Sequence, residues 1–286
     1  MQEIAPHVFV ETAYAGVTLG AISGQHGMVL IDAPFRPDDT RSWRSALLNL
    51  GGGVDRLLVN LDAHVDRSLG ARAMDCTIVG HALTAAVFRN RPVTFKVQSG
   101  VTGAEWELYN GLGNVRWAPP DLTFTDRLVL HWNSSPVVLE HHPGQSSGAI
   151  WVVLPEQKVI FVGDAIVPDA PPLLANAEIP VWIENLKLLQ TRTYQNYTLV
   201  SGRGGVIPYQ QIDKQIKFLD RVARQMEKLA ERAAKPEDTE PLAIRLLDTF
   251  EFDPERKELY LNRLRYGLRQ YYLRNHSPEG ANILEE

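Results

Sequence analysis

A chain of 286 residues, 44% hydrophobic and 22% charged, is long enough to bury a large core and too apolar to be disordered over its bulk. The formal net charge is −5 and no long basic run occurs, which argues against nucleic acid as a partner. The single cysteine, Cys76, excludes an internal disulfide and a zinc site built from several thiolates.

Cys76 stands in an apolar, strand-like run and reads as a buried structural thiol. The first residues lack a basic stretch followed by an apolar core. No apolar run reaches about 18 residues. Neither a secretory signal nor a membrane-spanning helix is expected, and the cytoplasm is the expected location.

Residues 8–12 predict a strand. Residues 17–23 and 28–31 flank the turn signal Gly24-Gln-His-Gly27 and predict a hairpin. Asp39 is positioned to cap a helix over 40–50, stopped by Gly51-Gly-Gly53. A buried strand over 56–59 leads into the polar segment 60–67. A short helix to Met74, a strand over 76–79 and a helix from about His81 to Arg89 follow. This alternation predicts a sheet with helices on its outer face.

Further strands are predicted over 122–124, 127–131, 136–140, 149–154 and 159–162, the last two joined by the turn 155–158. A helix over 183–191 and a short strand over 198–200 complete the α/β part. From Tyr209 the pattern becomes helical, with Ile212, Ile216, Leu219, Val222, Met226 and Leu229 on one stripe. Helices over 240–247 and about 254–273 follow, with a break at Lys235-Pro236. The chain is therefore read as an α/β domain over 1–207 and a C-terminal α-helical extension over 208–286.

The polar segment carries the chemistry. Asp62, His64 and Asp66 alternate directly after a buried strand, with Arg67 adjacent. An Asp-x-His-x-Asp string sets metal-capable groups on one side of a loop, although a polar loop capping a helix would look the same. Two more segments bear on it. One runs from Pro143-Gly-Gln145-Ser-Ser-Gly148 through a strand, a turn and a second strand to Gly163-Asp164. The other is Ser201-Gly-Arg203-Gly-Gly205, again directly after a strand.

In this order and spacing, over residues 5 to about 206, the chain resembles the metallo-β-lactamase superfamily. That family carries an HxHxDH loop, a GHTPGS-like loop, a strand pair ending in GD and a late GHG-like turn. The resemblance implies a four-layer αββα sandwich with a dinuclear metal site at one edge. Carried over, the first histidine falls on Asp62, and the second is kept as His64. The aspartate is kept as Asp66, while the last histidine of that loop falls on Arg67. The later histidines fall on Gln145 and Arg203, and the metal-bridging aspartate is kept as Asp164. Only His64, Asp66 and Asp164 retain the ligand type.

Asp62 could still bind zinc, manganese or magnesium, and Gln145 offers a weak neutral oxygen. Arg67 and Arg203 cannot be ligands, because a guanidinium stays protonated and has no lone pair to give. They are expected to pair with Asp62, Asp66 and Asp164 in place of the lost cations. No cofactor is expected on this reading. The chain would then be a pseudoenzyme without dinuclear hydrolase activity, holding a small molecule in the ancestral pocket.

The rival is a mononuclear hydrolase of an ester, thioester, lactam or phosphodiester. It would use one divalent metal (zinc, manganese or iron), with Asp66 relaying the proton of the activated water. A third reading is a scaffold that forms a homodimer through the helical tail. Membrane and nucleic acid are expected to play no part.

The resemblance also gives Asp32 a role hydrogen-bonding the metal loop from behind. His141 and His142 lie beside the expected pocket and read as structural, as does His81 at a helix start. Phe35, Arg36, Trp182 and Tyr209 are candidates for the pocket mouth or for ordinary packing. Ser146 and Ser147 lack a Gly-x-Ser-x-Gly elbow. The glycines at 20, 24 and 27 form no dinucleotide fingerprint.

Overall fold

The computed structural model describes residues 1–96 and 101–277. Its first sheet contains β1 (Gln2–Ala5), β2 (Val8–Glu11), β3 (Leu19–Ser23), β4 (Gly27–Ile31), β5 (Asp55–Val59), β6 (Thr77–His81) and β7 (Leu122–Phe124), in that spatial order. β1 to β4 form an antiparallel meander. From β4 to β7 the neighbours run parallel, and their crossovers carry α1 (Pro37–Leu47), α2 (Val65–Ser68) and α3 (Ala82–Asn90).

The second sheet holds β8 (Arg127–Leu130), β9 (Val137–His141), β10 (Ile150–Leu154), β11 (Val159–Gly163), β12 (Thr198–Ser201) and β13 (Gly205–Ile207). Its order is β13-β12-β11-β10-β9-β8, antiparallel except for β11 with β12. That one parallel pair requires a crossover, which contains α4 (Ile179–Leu189). The tail is α5 (Gln211–Glu231), α6 (Glu240–Leu247) and α7 (Lys257–His276).

Strand alternation builds the layers. In β10, Ile150, Val152 and Leu154 face the first sheet, while Trp151 and Val153 face the outer helices. In β4, Val29 and Ile31 point into the same central core, and Met28 and Leu30 pack with Trp43 and Leu47 of α1. Both faces of each sheet are thus covered, giving an αββα sandwich with a helical C-terminal region. The tail is not a separate body. Ile212 and Leu219 of α5, Leu246 of α6 and Leu264 and Leu268 of α7 share one cluster with Trp151, Ile160 and the α4 residue Leu186.

Several expected boundaries shift for physical reasons. α1 begins at Pro37, with Arg36 as N-cap, so Asp39 lies in the first turn and is not the cap. Proline at the first helical position has the right φ and no N–H to leave unpaired. α4 begins at Ile179, four residues before the expected 183, with Pro180 in its first turn, where the missing N–H has no intrahelical partner to lose. β1 and β13 are strands that the sequence pattern did not reveal. Cys76 is half-buried at the margin of the α1 core, just before β6, and burial pushes its thiol up to about 11.

Candidate functional site

The loop after β5 is fixed from both ends. Asn60 N–H donates to Val79 O at 2.9 Å, and Leu61 N–H donates to Asp32 Oδ1 at 2.9 Å. Asp32 itself is fully buried with φ of 58°, a left-handed conformation that aspartate tolerates better than most residues. Asp62 Oδ1 accepts from His64 N–H at 2.8 Å, and His64 caps α2 by accepting from Asp66 N–H. The turn that follows throws Asp66 and Arg67 inward, where both are completely buried.

Arg67 spreads across three carboxylates. Nη1 donates to Asp32 Oδ2 at 3.2 Å, Nη2 donates to Asp164 Oδ1, and Nε lies 3.3 Å from Asp62 Oδ1 in ion-pair contact. Arg203 enters from the turn between β12 and β13. Its Nε donates to Asp164 Oδ2 at 3.0 Å and its Nη1 to Asp66 Oδ2 at 2.9 Å, while Nη2 sits 3.2 Å from His64 Nδ1. Asp66 is completed by two backbone donors, Glu105 N–H at 3.2 Å and Trp106 N–H at 2.9 Å.

Two glycines make the room. A Cβ on Gly202 would lie 2.6 Å from Arg67 Nη1 and 2.8 Å from Asp164 Oδ1, and Gly163 passes Arg67 with φ of +60°. Ser201 Oγ accepts from Arg203 N–H at 3.0 Å and donates to Ile166 O, which sets the turn that aims Arg203.

Burial would raise both Asp66 and Asp164, but Arg203 at each of them, with Arg67 also at Asp164, holds them below the usual carboxylate range. Burial pushes Asp32 up to about 7, although Arg67 pulls against it. Burial and Arg203 depress His64 to about 4 against the pull of Asp66, so it is neutral at pH 7. Four carboxylates face two guanidinium groups, and the proton that Asp32 tends to hold relieves part of the excess.

Six of the seven positions expected to mark the ancestral metal site therefore meet in one bonded ring. The seventh, Gln145, is buried, and neither atom of its amide has a hydrogen-bond partner among the described residues. With Asp62, His64 and Asp164 it lines a cavity of about 250 Å³ whose other walls include Phe95, Trp106, Trp117 and Leu174. Ser146 lines the same cavity, and its Oγ is likewise buried without a partner among the described residues.

The remaining candidates lie apart from the ring. His141 Nε2 contacts Ser147 O at 2.8 Å and its ring stacks on His81 at 3.7 Å, and His142 stacks on Trp151 at 3.7 Å. His81 caps α3. Trp182 is core, its Nε1 donating to Ala165 O at 2.9 Å, and Tyr209 hydrogen-bonds Leu189 O at 2.7 Å, so neither forms the mouth. Phe35 is buried in the cluster with Phe95 and Trp106.

One residue that sequence reading missed stands over the ring. Arg263 of α7 is 2% exposed, donates to Gly103 O at 2.8 Å and Pro171 O at 3.2 Å, and faces Glu105 at 3.6 Å. Its loop partner Gly103 approaches so closely that a Cβ there would meet the Arg263 backbone nitrogen at 2.3 Å. Leu259, Arg263 and Gly267 are spaced by four, so the arginine lies on the buried stripe of α7. That spacing was the available signal.

These residues do not fit a metal. Among the described residues no group of three or more His, Cys, Asp or Glu is placed to hold one. Each of Asp32, Asp62, Asp66 and Asp164 has an oxygen engaged with a guanidinium. A dication would have to displace two fixed positive charges.

Residues 71–211 match the profile of the metallo-beta-lactamase superfamily, a span that begins just after the altered loop. A search of curated proteins returned no match. Among solved structures, the metallo-beta-lactamase from Pontibacter korlensis is 19% identical, with a TM-score of 0.61 over 77% of this chain and 97% of its own. A metallo-beta-lactamase family protein from Thermus thermophilus is 16% identical, with a TM-score of 0.62 over 92% and 93%. The inverting sec-alkylsulfatase Pisa1 from Pseudomonas sp. is 14% identical, with a TM-score of 0.66 over 98% of this chain and 50% of its own. The profile match over 71–211 and the αββα sandwich together show that the chain has a metallo-β-lactamase fold, consistent with a divergent member of that superfamily.

Proposed function

We propose that this protein is a metal-independent descendant of a metallohydrolase, which binds a small molecule in the cavity beside Gln145 and has given up dinuclear hydrolysis. The observation that carries this reading is the pair of guanidinium groups, Arg67 and Arg203, bonded to the carboxylates that a dinuclear centre would need. Fixed cations supply the charge that metals would have supplied, so the ring is held together with no ion to lose. A mostly apolar cavity with polar groups in its walls is the usual form of a ligand site. Asp66 has no water to activate on this reading. It anchors Arg203 and the loop at 105–106.

The test is metal content and activity on one preparation. Protein purified without chelator should contain zinc, iron and manganese well below one equivalent. It should take up none on dialysis against zinc, and should hydrolyse ester, thioester, lactam and phosphodiester probes no faster than the R67M variant. Stoichiometric metal accompanied by turnover would replace this reading with a mononuclear hydrolase.

A further inference from the structure

Arg263 lines two cavities, the one beside Gln145 and a second of about 550 Å³ on its other side. The second is bounded by residues 12–17, the turn at Gly204 and the start of α7. Four arginines line it, Arg36, Arg203, Arg256 and Arg263, against two carboxylates, Asp39 and Glu105. We propose that this cavity is a binding site for a phosphate monoester. It goes beyond the reading of the Gln145 cavity and does not depend on it.

The wall charge is unbalanced in a specific way. Glu105 serves two guanidinium groups. It accepts from Arg256 Nη1 at 2.5 Å but stands 3.6 Å from Arg263 Nη2, which has no hydrogen-bond acceptor among the described residues. A buried guanidinium without full compensation is costly, and an anion nearby relieves it. Arg36 reaches Asp39 only at 3.7 Å, too far for a hydrogen bond. Arg203 spends its N–H groups on Asp164, Asp66 and His64, so it contributes charge to this cavity more than donors. The acidic ring lies behind it.

The available donors are preset. The Arg36 guanidinium lies 4.7 Å over the ring of Tyr109, and that of Arg263 lies 5.1 Å over the ring of Tyr260. Stacking fixes the plane of a guanidinium and leaves its N–H edge free for an oxyanion fork. Arg36 and Arg256 are 39% and 42% exposed, so a ligand can reach them. The cavity is much larger than one phosphate, and Tyr14, Tyr109 and Tyr260 give it ring surface for an organic body. Arg203 is already matched by Asp66 and Asp164, so Arg36, Arg256 and Arg263 against Asp39 and Glu105 leave an uncompensated guanidinium whose edge, with those of Arg36 and Arg256, offers charge-assisted donors to the several strongly accepting oxygens of a phosphate monoester. A sulfate monoester has less basic oxygens and a carboxylate has only two, so each makes weaker or fewer such hydrogen bonds.

Calorimetry on the full chain with phenyl phosphate tests this. Saturable 1:1 binding that weakens with added salt is expected. Phenyl sulfate and benzoate should bind about 10-fold more weakly or worse, and phenol should give no saturable heat. R256Q and R36Q should each weaken phenyl phosphate by about 10-fold. R36Q is the check if R256Q loosens α7, because Arg36 lies outside that helix. Q145M, in the other cavity, should leave the affinity unchanged. No saturable binding of phenyl phosphate up to about 1 mM, equal affinity for benzoate, or binding untouched by R36Q would overturn the proposal.

Discussion

The two halves of the candidate site are built in opposite ways. On the side of Asp66, Arg67 and Arg203, the donors and carboxylates are engaged with one another, in full burial or close to it. On the side of Gln145, a buried amide and a serine hydroxyl face a cavity with no partner among the described residues. Charge explains the difference. Asp66 and Asp164 cannot be left buried and uncompensated, so the guanidinium groups beside them are costly to replace. A neutral amide left unpaired costs only about 1–3 kcal/mol, which a stable sandwich tolerates.

The sharpest way to break this contrast is Arg67→Met. The side chain is similar in length and apolar, and the change leaves Asp32, Asp62 and Asp164 facing one another with Arg203 alone. A loss of about 3–5 kcal/mol is expected in urea unfolding. A second substitution, Asp164→Asn, should recover part of it, because it removes one of the stranded charges. A loss below about 1 kcal/mol for R67M would mean the ring does not hold the site together.

Gly202→Ala asks the same question through space instead of charge. The added Cβ would sit 2.6 to 2.8 Å from the Arg67 guanidinium and Asp164. Arg67 is pinned by three carboxylates and has nowhere to move, so a cost of about 1–3 kcal/mol is expected. In the R67M background the same glycine change should cost much less, and a double-mutant cycle measures the difference.

The ring could be traced largely from sequence because the family resemblance assigns its positions, and each lies on local order: a strand, then Asp62 to Arg67; a strand pair, then Gly163-Asp164; a strand, then Arg203. Each critical side chain follows a strand end, and strand ends are what alternation reveals. Asp32 was legible for the same reason. What stayed hidden comes from tertiary contact. The amides of Glu105 and Trp106 that complete Asp66 have no residue-type signature. Arg263 reads as one more polar residue on a helix until α7 is packed against the loop at 103. Strands β7 and β8 are adjacent in sequence yet belong to different sheets, a fact that periodicity does not encode.

Protonation offers a subtler test. Asp32 at about 7 in the folded state, against about 3.9 unfolded, means the native state holds a proton the unfolded chain has released. Its contribution is therefore lost as pH rises from about 4 to 7. His64 at about 4, against about 6.5 unfolded, works the other way, and stability is lost as pH falls through that window. The two slopes oppose between about pH 4 and 6.5, so the wild-type profile should be nearly flat there. It should fall below that window as Asp66 and Asp164 become protonated. Asp32→Asn should uncover His64, with stability rising with pH by up to about 1.4 kcal/mol per unit. The full slope will not be reached, since His64 is 23% exposed. An unchanged slope in D32N would remove Asp32 from the network's proton balance.

The smallest effect tests the neutral half. Gln145→Met replaces a buried, unpaired amide by an apolar group of similar size, so it should stabilise the protein by about 1 kcal/mol where the equivalent change at Arg67 destabilises it. The opposite signs of these glutamine- and arginine-to-methionine changes, at two positions that the family resemblance marks as metal ligands, form the quantitative version of the comparison. Loss of stability in Q145M would mean the amide has a bound partner in solution. That partner would then be sought by comparing Q145M and wild type in the presence of chelator. A chelator-sensitive difference identifies a cation on the Gln145 carbonyl, and an insensitive one an organic ligand or ordered water in the cavity.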